Sequence, residues 1–253
     1  MGATMDATTK AVAIVSGGTR GIGRAIARRL HRDGFAVLVV HSGSDEDAAG
    51  LEAALHRDDH PLRALRIDVA DPAAPAAIFD AAETVGHVAV LVNNAGVTGR
   101  LGPIEALGDD DLRRVVDTNL VAPVRLCREA ARRWQGRDAP SHIVNISSVA
   151  ARTGSPGEYV AYAATKAALD ALTVGLAREL APHRIHVNAV SPGTIDTTIH
   201  ARAGEPERAA RVAGRIPMRR PGQPDEIANA VAWLVSTEAS YVTGTVLEVT
   251  GGL

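Results

Sequence analysis

Cysteine, lysine and aromatic side chains are all scarce in this chain of 253 residues, which has one Cys, two Phe, two Trp and three Tyr. A single thiol, Cys127, excludes an internal disulfide framework and suits a reducing, cytoplasmic setting. It reads as a small apolar packing residue on a helix rather than a nucleophile. No uninterrupted apolar run approaches the length of a bilayer span, so no membrane partner is expected. Residues 1–9 have neither a basic segment nor an apolar one, and read as a loose tail rather than a signal peptide. The net charge of −2 gives no large basic surplus, so nucleic acid is not an expected partner either.

What remains is an ordinary globular composition, 46% hydrophobic and 22% charged. No repeat, low-complexity tract or linker-like shift divides it, so residues 10–253 read as one domain. Short apolar segments alternate with longer amphipathic ones. Strands are expected at 11–15, 36–40, 62–67, 88–92, 142–146, 185–190 and 245–249. Helices are expected at 21–32, 45–56, 72–85, 109–134, 159–180 and 224–235. Near-continuous apolar strands separated by helices indicate an α/β fold with a parallel sheet covered on both faces. Right-handed crossovers then give a single doubly wound, Rossmann-type sheet of about seven strands, with its site at the strands' carboxyl ends.

The motifs fall at those ends. The first strand runs into Ser16, Gly17, Gly18, Thr19, Arg20, Gly21, Ile22 and Gly23, a glycine turn that opens a helix. Gly17, Gly21 and Gly23 let a helix N-terminus approach a pyrophosphate. At the end of the second strand a NAD site usually carries an acid for the ribose 2′-hydroxyl. Here stand His41, Ser42 and Gly43, with no carboxylate before Asp45. Arg20, inside the turn, has the fork geometry to pair with a 2′-phosphate. NADP(H) is therefore the expected cofactor, with NAD(H) the lesser alternative.

The third strand ends at Asp68 and Val69, where the carboxylate either accepts from adenine or caps the next helix. The fourth runs into Asn93, Asn94, Ala95 and Gly96, small enough for close approach to a ribose, with amides able to brace neighbouring strands. The fifth ends at Ser147 and Ser148, of which at most one points into the site; a loop over 149–158 follows. The sixth ends at Pro192 and Gly193, with Thr194, Ile195 and Thr197 beyond. Residues 194–221 read as a substrate-binding lid, and its Arg202, Arg208, Arg211, Arg215, Arg219 and Arg220 outnumber its acids. That surplus either meets an anionic substrate group or simply faces solvent. Asn119 lies inside the long fourth helix, and taken alone reads as solvent-facing.

Tyr162 and Lys166 are the pair around which the rest is arranged. Four residues apart on a helix, they share one face. Only two residues in the chain are lysine, Lys10 and Lys166, the basic residue elsewhere being Arg. A phenol beside an ammonium is a proton donor for a substrate oxygen. Lowering it from about 10 to about 7 takes roughly 4 kcal/mol, which Lys166 and an oxidised nicotinamide are expected to supply together.

With these residues assembled, the chain resembles the short-chain dehydrogenase/reductase family over nearly its whole length, 3-oxoacyl-carrier-protein reductases and glucose dehydrogenases in particular. The resemblance implies a tetrad: Tyr162 as general acid and base, Ser148 holding the substrate oxygen, Lys166 on the nicotinamide ribose, and Asn119 organising a water through a locally disturbed helix. It also implies a small carbonyl or alcohol substrate and a homotetramer, often paired through the helices of Asn119 and Tyr162. Two features depart from the pattern. Ser148 precedes Tyr162 by one position more than is usual, which keeps Ser147 as a competitor. Thr250 stands where many relatives have Asp. A catalytically silent nucleotide sensor or scaffold is the reading from another class, and an NAD-dependent sugar or alcohol dehydrogenase the one within the class. An acyl carrier protein docked on the basic lid is the expected refinement if the substrate is acyl.

Overall fold

The computed structural model describes residues 10–55, 57, 59–197, 205 and 211–253. Its strands are β1 (Ala11–Ser16), β2 (Ala36–His41), β3 (Leu62–Arg66), β4 (His87–Asn93), β5 (Ser141–Ile146), β6 (Ile185–Pro192) and β7 (Val246–Val249). The principal helices are α1 (Gly21–Arg32), α2 (Asp45–Leu55), α3 (Ala74–Glu83), α4 (Asp109–Val116), α5 (Ala122–Trp134), α6 (Ala150–Thr153), α7 (Val160–Leu180) and α8 (Pro224–Leu234). All seven strands are parallel, in the order β3-β2-β1-β4-β5-β6-β7. The chain builds outward from β1 in one direction, then returns to build outward from β4 in the other. The loops after β1 and β4 therefore diverge, and the crevice between them is where an open α/β sheet binds ligands.

The apolar pattern explains the layering. On one face Ile14, Leu38 and Leu91 pack under α3, α5 and α7, with Phe79 and Trp134 meeting edge to face, their centroids 6.1 Å apart. On the other face Val15, Val39 and Val90 pack under α1 and α8, with Ile26, Leu30, Ile227 and Val231. Each fully buried side chain of this size contributes about 1.5–3 kcal/mol. Val160–His183, covering α7 and the following turn, is long and apolar enough by composition to cross a membrane. Here its inner face carries buried Thr165, Lys166 and Thr173 against the sheet, which makes it a core helix.

Two expectations are corrected. The helix over 109–134 is not continuous: Asp117–Val121 forms a π turn between α4 and α5. Pro123 is the reason. It has no N–H for the carbonyl four residues back, that of Asn119, and its ring crowds that position. The 149–158 loop, in turn, contains α6, which ends on Gly154 in the left-handed region at φ +72°.

His142 and His186 are register partners on β5 and β6, their rings stacked 5.1 Å apart. His142 Nδ1 is buried without a partner, and burial, reinforced by His186, holds the ring at about 4 instead of 6.5. The unfolded chain takes up this proton below pH 6.5, whereas the folded chain resists it until about 4. Stability is thus full above that upper value and falls as pH drops through the window, by up to about 3 kcal/mol. Urea unfolding at several pH values should show this decline, and His142→Asn should flatten it; an equal slope in both proteins rejects this source.

Candidate active site

The glycine turn is shaped by close contacts rather than by flexibility alone. A Cβ on Gly23 would stand 2.1 Å from the Gly17 carbonyl oxygen, so no other residue fits there without moving the turn. Gly17 and Gly21 have φ of +64° and +52°, in the left-handed region. The N-terminus of α1 has no side-chain cap and no acid in its first turn. Its free N–H groups and the helix dipole suit an anion. Ser16, to which its place in the motif gave no role, organises this corner: its Oγ donates to Val92 O at 3.2 Å and accepts from Asn94 N at 2.9 Å and Ala95 N at 3.0 Å. The Asn94 side chain braces the neighbouring strand end, donating to Ser16 O at 2.8 Å and Gly17 O at 3.1 Å and locking the turn, while the residue also lines the cleft.

A cleft of about 700 Å³ runs from this turn across the sheet's carboxyl edge. At one end lie His41, Ser42, Asp68, Val69 and Arg20. The Arg20 guanidinium rests against Gly43, where an added Cβ would come within 3.2 Å of Nη2. His41 is 6% exposed and its Nδ1 has no partner. Asp68 uses Oδ1 to accept from Ala70 N at 3.0 Å, so it serves as a local cap while still lining the cleft. The nearest acid after β2, Asp45, is paired with Arg66 at 2.6 Å. Thr19, Ile22, Ala95, Gly96, Pro192, Gly193, Ile195 and Thr197 line the walls between.

At the other end stand Tyr162 and Lys166. Lys166 is 4% exposed, donates from Nζ to the Ile146 carbonyl at 2.7 Å, and lies 5.6 Å from the Tyr162 ring centroid. Ser148 hydrogen-bonds the Tyr162 phenol, and its Oγ accepts from Ala150 N at 3.1 Å. Ser147 turns the opposite way, buried under α7, with its Oγ 3.4 Å from the Lys166 carbonyl. The geometry thus places Ser148, not Ser147, at the phenol. Tyr159 lines the cleft beside it and packs edge to face on Tyr162 at 5.5 Å.

Asn119 is fully buried, which overturns its solvent-facing reading. Its Oδ1 accepts from Val97 N at 2.9 Å, and its Nδ2 donates to Val97 O at 2.8 Å and Thr165 Oγ1 at 3.3 Å. A second buried chain fixes the height of α7: Asn93 Nδ2 donates to Asn145 Oδ1 at 2.9 Å, and Asn145 Nδ2 to Thr173 Oγ1 at 2.9 Å. Strands β4 and β5 and the helix bearing Tyr162 are thereby stitched together.

The electrostatics differ from expectation. Burial pushes the Tyr162 phenol up to about 12, and the Ser148 hydrogen bond offsets only part of this. Burial also lowers Lys166 to about 8. Desolvation therefore outweighs the neighbouring ammonium, which lies over the ring and faces a carbonyl. The protein alone does not acidify the phenol.

Of the arginines between 194 and 221, most of the described ones are engaged locally. Arg202 and Arg208 lie outside the described residues. Arg220 pairs both nitrogens with Glu226 at 2.7 and 2.8 Å, and Arg211 pairs with Glu205. Arg219 donates to Gly214 O at 2.9 Å, while Arg215 lines the cleft.

An anion-ready helix N-terminus opens one end of a long cleft at the switch point and a phenol–ammonium pair stands at the other, the layout of a Rossmann-type nucleotide site. The sequence profile described as Enoyl-(Acyl carrier protein) reductase matches residues 17–253. The chain is 43% identical over 245 residues to the oxidoreductase YgfF of Escherichia coli K12, covering 96% of this chain and 99% of that one. It is 38% identical over 242 residues to 3-oxoacyl-(acyl-carrier-protein) reductase FabG of Staphylococcus aureus, covering 95% and 97%. A short-chain dehydrogenase from Burkholderia cenocepacia, solved with NADP, superposes with a TM-score of 0.87 at 35% identity, over 97% of each chain. The chain belongs to the short-chain dehydrogenase/reductase family.

Gly23→Ala should raise the dissociation constant for NADPH at least about tenfold, because its methyl group forces the turn apart. A fluorescence titration reads this directly; wild-type affinity in the variant would contradict the cradle.

Proposed function

We propose that the chain is an NADP(H)-dependent oxidoreductase interconverting a ketone and a secondary alcohol by hydride transfer, with Tyr162 as the proton donor. One observation carries this reading: Ser148, Tyr162 and Lys166 converge at one end of a cleft whose other end holds Arg20 and has no carboxylate among His41, Ser42 and Gly43 at the end of β2. The glycine turn and α1 hold the pyrophosphate, and Arg20, with Ser42 and His41 beside it, takes the 2′-phosphate. Lys166 orients the nicotinamide ribose. When bound, the nicotinamide supplies the hydride and, once oxidised, a positive charge near the phenol. The NADP-bound Burkholderia relative and the reductase name of the staphylococcal one support the choice of cofactor and direction.

The chemistry of the chain's own groups follows. A phenol held at about 12 keeps its proton at neutral pH, the state needed to protonate a carbonyl oxygen. Ser148 donates a second hydrogen bond to that oxygen as it gains charge. The phenolate left behind is stabilised by the ammonium of Lys166. The Asn119 carbonyl, which Pro123 cannot satisfy, suits a water that links Lys166 to solvent. Lys166 then hands a proton to the phenolate, restoring the phenol, and takes its replacement from solvent through that water. In oxidation the phenol must first ionise, a step that relies on the charge of the bound cofactor as well as Lys166. We expect the protein to act as a cytoplasmic homotetramer on a small carbonyl substrate. The family resemblance supports the assembly, and the lone buried thiol supports the reducing setting.

Tyr162→Phe should lower NADPH-dependent reduction of a panel of ketones, β-ketoesters and sugars by about 10²–10⁴-fold. NADPH binding should stay within about twofold, since the ring is kept. Retained turnover would remove Tyr162 from its role. Wild-type catalytic efficiency should favour NADPH over NADH, and Arg20→Ala should erase most of that preference; preference for NADH in the unmutated protein would overturn the cofactor reading.

A further inference from the structure

A carboxylate stands behind the active-site lysine that the proposed reaction leaves unused. Asp170 lies one helical turn beyond Lys166 on α7, just as Lys166 lies one turn beyond Tyr162, so all three share a face. The ammonium of Lys166 is buried, and among the described residues no carboxylate pairs with it directly; its hydrogen bond goes to the neutral Ile146 carbonyl at 2.7 Å. A cation in that position is unfavourable without a compensating charge nearby. Asp170 is half-buried, and its Oδ1 is sealed from solvent with no hydrogen-bond partner. Ser147 connects the two residues: its hydroxyl bonds the Asp170 carboxyl and lies 3.4 Å from the Lys166 carbonyl.

The groups acting on Asp170 come from each element around it. Ser147 reaches it from the end of β5 and Lys166 from its own helix. Glu248 acts from β7 and is itself paired with Arg152 of α6 at 2.7 Å. Burial and Glu248 raise the Asp170 carboxyl, while Ser147 and Lys166 lower it. In return, Asp170 opposes the burial that brings Lys166 down to about 8.

We propose that Asp170 is a positioning residue: its carboxylate is the counter-charge of Lys166 and keeps that ammonium protonated where it meets the cofactor ribose and the Tyr162 oxygen. This rests on the reading of the cleft as a nicotinamide site. It assigns Ser147 a distinct task, bridging Asp170 to the helix backbone while Ser148 faces the substrate.

The test uses cofactor binding rather than turnover. The dissociation constant for NADPH is measured by fluorescence between about pH 6 and about pH 10, across the titration of Lys166. Wild-type affinity should fall on the alkaline side as the ammonium loses its proton, and Lys166→Met should abolish that fall. Asp170→Asn keeps the size of the side chain and an acceptor for Ser147 but removes the charge. It should move the alkaline fall to lower pH by about half a unit or more, and Asp170→Glu should restore it. An alkaline fall unmoved in Asp170→Asn, with or without a lower melting temperature, would reduce Asp170 to a structural residue and overturn the proposal. A fall that persists in Lys166→Met would overturn it too. Failure of the ketone reading would show differently, as absent turnover with an intact binding profile.

Discussion

The bond from Lys166 Nζ to the Ile146 carbonyl, 2.7 Å long, is the constraint on which the site depends. It ties the helix bearing Tyr162 to the end of β5, the strand that delivers Ser148. Strand and helix are otherwise joined by a loop and a short helix, a connection too irregular to set a hydroxyl beside a phenol. The Asn145–Thr173 bond, lower on the same pair of elements, adds a second fixed point, and two points define the orientation of α7. A short polar ladder between apolar layers is specific in a way that Leu and Val contacts are not, because its donors and acceptors tolerate little displacement.

Burial has opposite consequences for the two groups at its centre. It holds the proton on the phenol and loosens it on the ammonium, bringing the values to about 12 and about 8. Before a cofactor arrives, the chain thus presents a neutral acid poised to give, not a phenolate poised to take. Under the proposed chemistry, reduction needs nothing further from the phenol, whereas oxidation needs positive charge brought in from outside. That asymmetry follows from desolvation exceeding the Coulombic help of an ammonium directed at a backbone oxygen.

Much of the fold was legible in the sequence because parallel strands buried on both faces leave near-continuous apolar runs. All seven strands lie within a residue or two of where periodicity put them. Periodicity ran a helix straight through Asp117–Val121, and only the family resemblance implied a disturbance at Asn119, although Pro123 was in plain sight; a proline near a helix start is also a common N-terminal residue, and only the flanking helix distinguishes the cases. Local spacing left Ser147 and Ser148 undecided, because their difference lies in which side of the strand each faces. Ser16 and Asp170 were missed for a related reason. Their partners lie on other elements or depend on burial, which no short motif records. Asn94 was legible from its motif, since its amide braces the end of the neighbouring strand as the residue type suggests.

Pro123 gives the π turn a permanence that a hydrogen-bond defect lacks. An ordinary mismatch in a helical ladder can migrate or anneal as neighbouring amides exchange partners. An imino nitrogen has no hydrogen to exchange, so the interruption opposite Asn119 is written into covalent structure and survives every breathing motion of the helix. The backbone geometry it sets at Asn119 is thereby as durable an element of the architecture as any side chain, and no substitution at Asn119 itself can delete it.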